Sequence, residues 1–182
     1  LYADAINWDF SGQFVLYDAF NRLPNPNGPD LEYWDVGFLR VWDNNTNDYG
    51  DGFISKLFNS LPEGVSVGNA VFSKNSPTII AFDYFDAGAG TNAILAGNTE
   101  TGDVGTVVAN NPILGYPDYS KEDDKIIFNS ETGFTEYVRV VDLQTDKING
   151  SSTPTNLIAD GKWGTWYSTG SRDISVSNEP EV

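Results

Sequence analysis

The sequence predicts an all-β fold, and three observations carry that prediction. Runs of β-branched and aromatic residues recur at strand length, clusters of Gly, Asn, Asp, Pro and Ser separate them, and no segment keeps a convincing helical period. With 182 residues, 40% hydrophobic and 14% aromatic, the chain is too rich in apolar groups for disorder and long enough to build a core.

Taken in order, the predicted strands include Phe14 to Tyr17, Phe38 to Trp42, Thr78 to Phe82, Lys125 to Phe128 and Glu136 to Val141. The turn clusters between them are Asn25 to Gly28, Asn44 to Gly52, Asp86 to Thr91 and Asn149 to Pro154. Residues 53–61 read equally as one or two amphipathic helical turns or as a strand leading into Pro62.

One template recurs three times: an aromatic residue, a polar hairpin loop, then an apolar strand ending on a second aromatic. It covers Trp8 to Tyr17, Phe72 to Phe82 and Tyr119 to Phe128, with first aromatics 64 and 47 residues apart. The longer interval holds two insertions, one at 21–30 and one at 43–52. Without them the period falls to the roughly 40 to 50 residues of a four-stranded propeller blade.

A third strand closing on a turn follows in each copy, at Val138 to Lys147, at Arg40 to Thr46 and, less regularly, at Asn92 to Ala96 with the turn Thr99 to Gly102. Fourth strands are expected at Ile54 to Phe58, Gly105 to Ala109 and Asn156 to Ala159. The expected architecture is therefore β-propeller blades of four antiparallel strands, about three blades: residues 1–65, 66–113 and 114–160. Residues 161–182 follow as an extra inner strand, Gly161 to Tyr167, and a polar tail or edge strand from Ser171 to Val182.

Blade physics explains the pattern. A single sheet cannot bury both faces, so blades stack and the aromatic of each inner strand packs on its neighbour. Trp8, Tyr17, Phe72, Phe82, Tyr119 and Phe128 are then core, and Gly12, Asn75 and Asp123 are the expected positive-φ turn residues. Three blades do not close a ring, which usually takes about 4 to 8. The expectation is either part of a longer propeller or a homodimer in which two chains complete about six blades.

The motifs Trp8-Asp-Phe-Ser-Gly-Gln13, Phe72-Ser-Lys-Asn-Ser-Pro77 and Tyr119-Ser-Lys-Glu-Asp-Asp124 resemble the TolB-like propeller repeat, also called the WD40-like or PD40 repeat. Ser73 and Ser120 keep its Ser and Gly12 keeps its Gly, whereas its Pro is missing from the usual place. The resemblance covers about residues 1–167. It implies a non-enzymatic, extracytoplasmic scaffold, periplasmic or secreted, that binds a protein or peptide through one face and the central channel. Some propellers of the family are attached to a serine peptidase domain, and residues 1–182 are not expected to contain one.

Composition excludes further classes. Ten Lys and Arg against 26 Asp and Glu give a net charge of −16, which repels nucleic acid and anionic lipid. The absence of Cys and His removes disulfides, thiol nucleophiles, the Ser-His-Asp triad and most transition-metal chemistry. No apolar run reaches the ~18 residues of a membrane span. Leu1 in place of Met, with no Met elsewhere, leads to the expectation of a removed upstream segment, a signal peptide or lipid-anchored leader.

Candidate sites are few. Asp43, Asn45 and Asn47 keep the alternating oxygen spacing of a calcium loop, but Asp48 stands where such loops need Gly and Ile54 where they need a bidentate Glu. A solvated insertion is the plain alternative. Glu122, Asp123 and Asp124 sit in the repeat's turn and read as turn-forming acids, not as a glycosidase pair. Asp83 and Asp86, with Tyr84 and Phe85, are the better cleft candidates.

Trp34, Trp42, Tyr33 and Tyr49 crowd the first blade, and Trp163, Trp166 and Tyr167 crowd the end. Buried inter-blade aromatics are the plainer reading, and a glycan-binding or carbohydrate-active surface using these aromatics and nearby Asp and Asn is the alternative to a protein partner. Ser73 and Ser120 have no accompanying base and are not nucleophiles.

Overall fold

A computed structural model describes residue 3 and residues 5–167, so the expected tail from Ser171 to Val182 lies outside the described residues. Three four-stranded antiparallel sheets follow one another along the chain. In the first, β1 (Ile6–Trp8), β2 (Phe14–Leu23), β3 (Leu31–Arg40) and β6 (Ile54–Lys56) lie in that order, and a small hairpin of β4 (Trp42–Asp43) and β5 (Asp48–Tyr49) stands apart. The second is the meander β7 (Val65–Phe72), β8 (Ile79–Asp86), β9 (Thr91–Asn98) and β10 (Asp103–Asn111). The third repeats it with β11 (Asp118–Tyr119), β12 (Lys125–Thr132), β13 (Thr135–Asp142) and β14 (Thr155–Ala159).

Three expectations are corrected here, and one alternative is decided. Residues 21–23 are strand, because the β2–β3 ladder runs from Phe14↔Arg40 to Leu23↔Leu31 and an Arg22–Glu32 ion pair extends it past the core. Residues 54–56 are strand and the helical alternative falls, since the backbone of β6 pairs with Gly37 to Leu39. Asn75 has no positive φ, whereas Gly12 and Asp123 have φ of 73° and 56°. Gly161 to Tyr167 forms no strand, because its backbone bonds to side chains of the third sheet instead of to a neighbouring strand.

Both faces of the middle sheet are buried. Ile80 and Phe82 of β8 point into a cluster with Leu16, Val36 and Phe72, while Ala81 points the other way into a cluster with Ile94, Tyr119, Ile126 and Phe128. The period-2 alternation of a strand divides the residues in this way. Phe72 and Tyr119 each pack on the preceding sheet, worth about 1.5 to 3 kcal/mol per side chain. Trp8 is the exception to the expected core. Among the described residues no sheet precedes its own, and it is 56% exposed. Tyr17 is half-buried, its ring lying where a Cβ on Gly37 would go.

The outer parts of the second and third sheets meet backbone to backbone. Gly150 N–H donates to the Thr106 carbonyl at 3.0 Å, Thr106 N–H donates to Asn149 Oδ1 at 3.2 Å, and a Cβ on Gly105 would collide with the Ile148 carbonyl. Gly105→Ala is therefore expected to lower stability by about 1 to 3 kcal/mol, measured by urea denaturation. Wild-type stability would contradict this close approach.

Candidate functional site

The inner strands β1, β7 and β11 lie side by side, and a recurring polar contact sets their spacing. Each second strand carries, part-way along it, an aromatic followed by a carboxylate or amide: Tyr17-Asp18, Phe82-Asp83 and Phe128-Asn129. These three polar side chains are buried. Asp18 accepts the Asn69 N–H at 2.7 Å, Asp83 accepts those of Gly115 at 2.7 Å and Tyr116 at 2.9 Å, and Asn129 Oδ1 accepts that of Trp163 at 2.8 Å.

Asn69, Tyr116 and Trp163 all have positive φ, 51°, 47° and 51°. Each stands three residues before an aromatic: Phe72, Tyr119 and Trp166. A non-glycine residue in this region costs about 1 kcal/mol or more, and the bonds accepted by the buried Asp18, Asp83 and Asn129 side chains offset that cost. A second contact supports the first. Asn7 Oδ1 accepts the Phe72 N–H at 3.1 Å, and Asp118 Oδ2 accepts the Trp166 N–H at 2.9 Å.

Two clefts open along this line. One of about 590 Å³ runs over the inner strands and includes Asn7, Asn69, Lys74, Tyr116, Asp118 and Trp163. Within it Lys74 Nζ pairs with Asp118 at 2.6 Å, and Tyr116 meets Trp163 edge to face with ring centres 6.5 Å apart. The other, of about 440 Å³, includes Trp34, Asp83, Phe85 and Asn92 and shares Asn69 and Tyr116 with the first. Trp34 is held on β3 by its N–H bond to Ser66 Oγ at 3.2 Å and by Phe20, 5.4 Å away between ring centres. Burial pushes the Asp83 carboxyl above its ordinary range, opposed by the Tyr116 N–H, the Asn69 amide and the Gly115 N–H that it accepts.

Of the residues singled out from the sequence, Trp34 and Asp83 come together in the smaller cleft. Asp86 does not join them: its carboxylate accepts the Ala89 N–H at 2.9 Å in the β8–β9 turn. Trp42 and Tyr49 face each other edge to face on the β4–β5 hairpin, away from Trp34. Asp43 is paired with Arg40 at 2.9 Å and accepts the Asn45 N–H, and Asn47 takes a positive φ in the same turn. Among the described residues no three carboxylates converge as a metal cluster.

Asp123 is more than a turn former. It is 1% exposed, accepts the Asn75 N–H at 3.0 Å and pairs with Lys147 at 3.1 Å, tying the second sheet to the third. Sequence reasoning missed Asp18, Asn69, Tyr116, Asp118 and Asn129. The available signal was the polar residue that follows the closing aromatic in all three copies.

No protein-family model matches the sequence, and no curated protein matches it. Solved structures do. A TolB-assigned protein of Agrobacterium tumefaciens is similar with a TM-score of 0.59 and 14% identity over 87% of this chain and 50% of that one. The fold is that of a β-propeller. A luciferin-regenerating enzyme is similar with a TM-score of 0.50 and 12% identity over 85% of this chain and 60% of that one. TolB from Acinetobacter baumannii follows at 0.47 and 14%, over 76% of this chain and 40% of that one. The chain thus spans about half the length of the first of these propellers. Among the described residues, its three four-stranded sheets are blades that do not close a ring.

Asp83 allows a direct test of the polar contact between blades. Asp83→Ala strands buried N–H donors and is expected to cost about 2 to 4 kcal/mol, while Asp83→Asn keeps one acceptor, as Asn129 does in the third blade, and costs less. Because the folded-state pKa of Asp83 is raised above 3.8, its titration favours folding most below that value and loses this contribution as pH rises through the folded pKa. The stability of wild type relative to Asp83→Asn should therefore fall as pH is raised from 3.8. Denaturant titrations across that range check this, and a pH-independent difference would contradict it.

Proposed function

We propose that the chain is a non-enzymatic binding module, an extracytoplasmic scaffold that receives an extended protein or peptide segment along its inner strands. The observation that carries this reading is the cleft of about 590 Å³ over β1, β7 and β11. Its lining combines an aromatic pair, Tyr116 and Trp163, with the Lys74–Asp118 ion pair and the Asn7 and Asn69 amides. Aromatic area supplies affinity and fixed polar groups supply register, the usual division in peptide recognition. The TolB-like resemblance supports the same reading and the extracytoplasmic location.

A second reading, glycan binding, is favoured by Trp34 lining the smaller cleft together with Asn69 and Asn92. Stacking on an indole beside amide groups is the way sugars are held.

Selection of displayed peptides on the intact protein tests the first reading. Peptides so recovered should bind Trp163→Ser roughly thirtyfold more weakly, an aromatic hot-spot loss of about 2 kcal/mol, with unchanged melting since Trp163 is largely exposed. Recovered peptides that ignore Trp163→Ser and Tyr116→Ala would sink it. Glycan-array binding abolished by Trp34→Ala would favour the second.

A further inference from the structure

The smaller cleft carries more than its size. Its wall holds three rings, Trp34, Phe85 and Tyr116, and its lining includes the buried carboxylates of Asp18 and Asp83. Aromatic faces present negative potential and attract a cation held within about 6 Å. Asp83 is 2% exposed and is bonded to neutral groups, the Gly115 and Tyr116 N–H and the Asn69 amide.

Three other buried carboxylates have a cation beside them: Asp35 pairs with Lys56, Asp118 with Lys74 and Asp123 with Lys147. Asp83 pairs with no Lys or Arg among the described residues, and unlike Asp9, which is bonded within its own turn, it lines an aromatic cleft. A buried carboxylate without a counter-charge is costly, and a cation brought to it gains more than it would in water. Among the described residues, the remaining cations are engaged elsewhere. Arg22, Arg40, Lys121, Lys125 and Lys162 are held by other carboxylates, and Arg139 lies over Tyr137 and bonds to Asn156. With a net charge of −16, the molecule steers external cations toward itself.

We propose that the pocket between Trp34, Phe85 and Tyr116 is a receptor for an organic cation, the ammonium or guanidinium head of a basic side chain on the partner. The volume of about 440 Å³ accommodates such a head and its aliphatic stem. The rings embrace the charge, and Asp83 supplies the opposing negative potential. The site rests on the reading of this end of the molecule as the partner-binding face, and it specifies that partner as basic.

The probe is N-acetyl-arginine amide, with N-acetyl-citrulline amide as its uncharged counterpart, titrated into the intact protein and followed by calorimetry and tryptophan fluorescence. The arginine compound should bind at least roughly tenfold more tightly, a difference of about 1.4 kcal/mol. Asp83→Asn and Trp34→Leu, each confirmed folded by its melting curve, should reduce arginine binding to the citrulline level. Equal binding of the two compounds, no arginine binding at millimolar concentration, or arginine binding untouched by the folded variants would overturn the proposal. An arginine failure with peptide binding still dependent on Trp163 would overturn this inference alone and leave the binding-module reading standing.

Discussion

The contact on which the rest of the structure depends is made by a carboxylate or amide from the middle of each second strand, which holds the backbone in or just before the next inner position. Asp18, Asp83 and Asn129 do this for Asn69, Tyr116 and Trp163 in turn. Apolar packing between sheets is strong but tolerant of small slides, because dispersion and hydrophobic burial have little directional preference. A buried acceptor bonded to one or two N–H groups is not tolerant in this way. It sets the height at which each inner strand meets the sheet before it, and with it the depth to which Phe72 and Tyr119 reach their clusters.

The same contact shapes the clefts. Holding Asn69, Tyr116 and Trp163 at positive φ turns the chain sharply just before each inner aromatic. The Asn69 and Tyr116 side chains consequently border both clefts, and the Tyr116 ring meets Trp163 at the edge of the larger one. Structural and recognition roles are thus combined in few residues. Asp83 holds the third inner strand from beneath and lines the aromatic pocket. In the last repeat, Trp166 takes a place equivalent to Phe72 although no strand forms there, since its N–H is received by Asp118 as that of Phe72 is by Asn7.

Much of the architecture was legible because propeller blades are local. Each four-stranded meander pairs strands adjacent in sequence, so apolar runs such as Thr78 to Phe82 and Lys125 to Phe128, with their turn clusters, carry the topology. The β2–β3 hairpin was harder: Asn21, Arg22 and Glu32 look like loop residues, but cross-strand pairing beyond the core keeps them extended. Trp8 read as core because its counterparts Phe72 and Tyr119 are, and burial depends on a preceding sheet that no single residue encodes. The site was legible only in part. Trp34 and Asp83 stood out by type, but their meeting depends on how the first two blades stack. Asp18 and Asn129 were concealed by looking like ordinary strand ends.

Amide hydrogen exchange in the native protein, resolved by residue with NMR, tests the central claim most directly. The N–H groups of Gly115, Tyr116 and Trp163 lie outside the strand ladders, so nothing in the sheets themselves protects them. If the buried side chains hold the inner strands in register, these amides exchange as slowly as those of Ile80 and Phe82 in the core, through global unfolding. Exchange at the rate of loop amides would mean that the contacts open locally, and that packing alone sets the geometry of the blades and of the clefts between them.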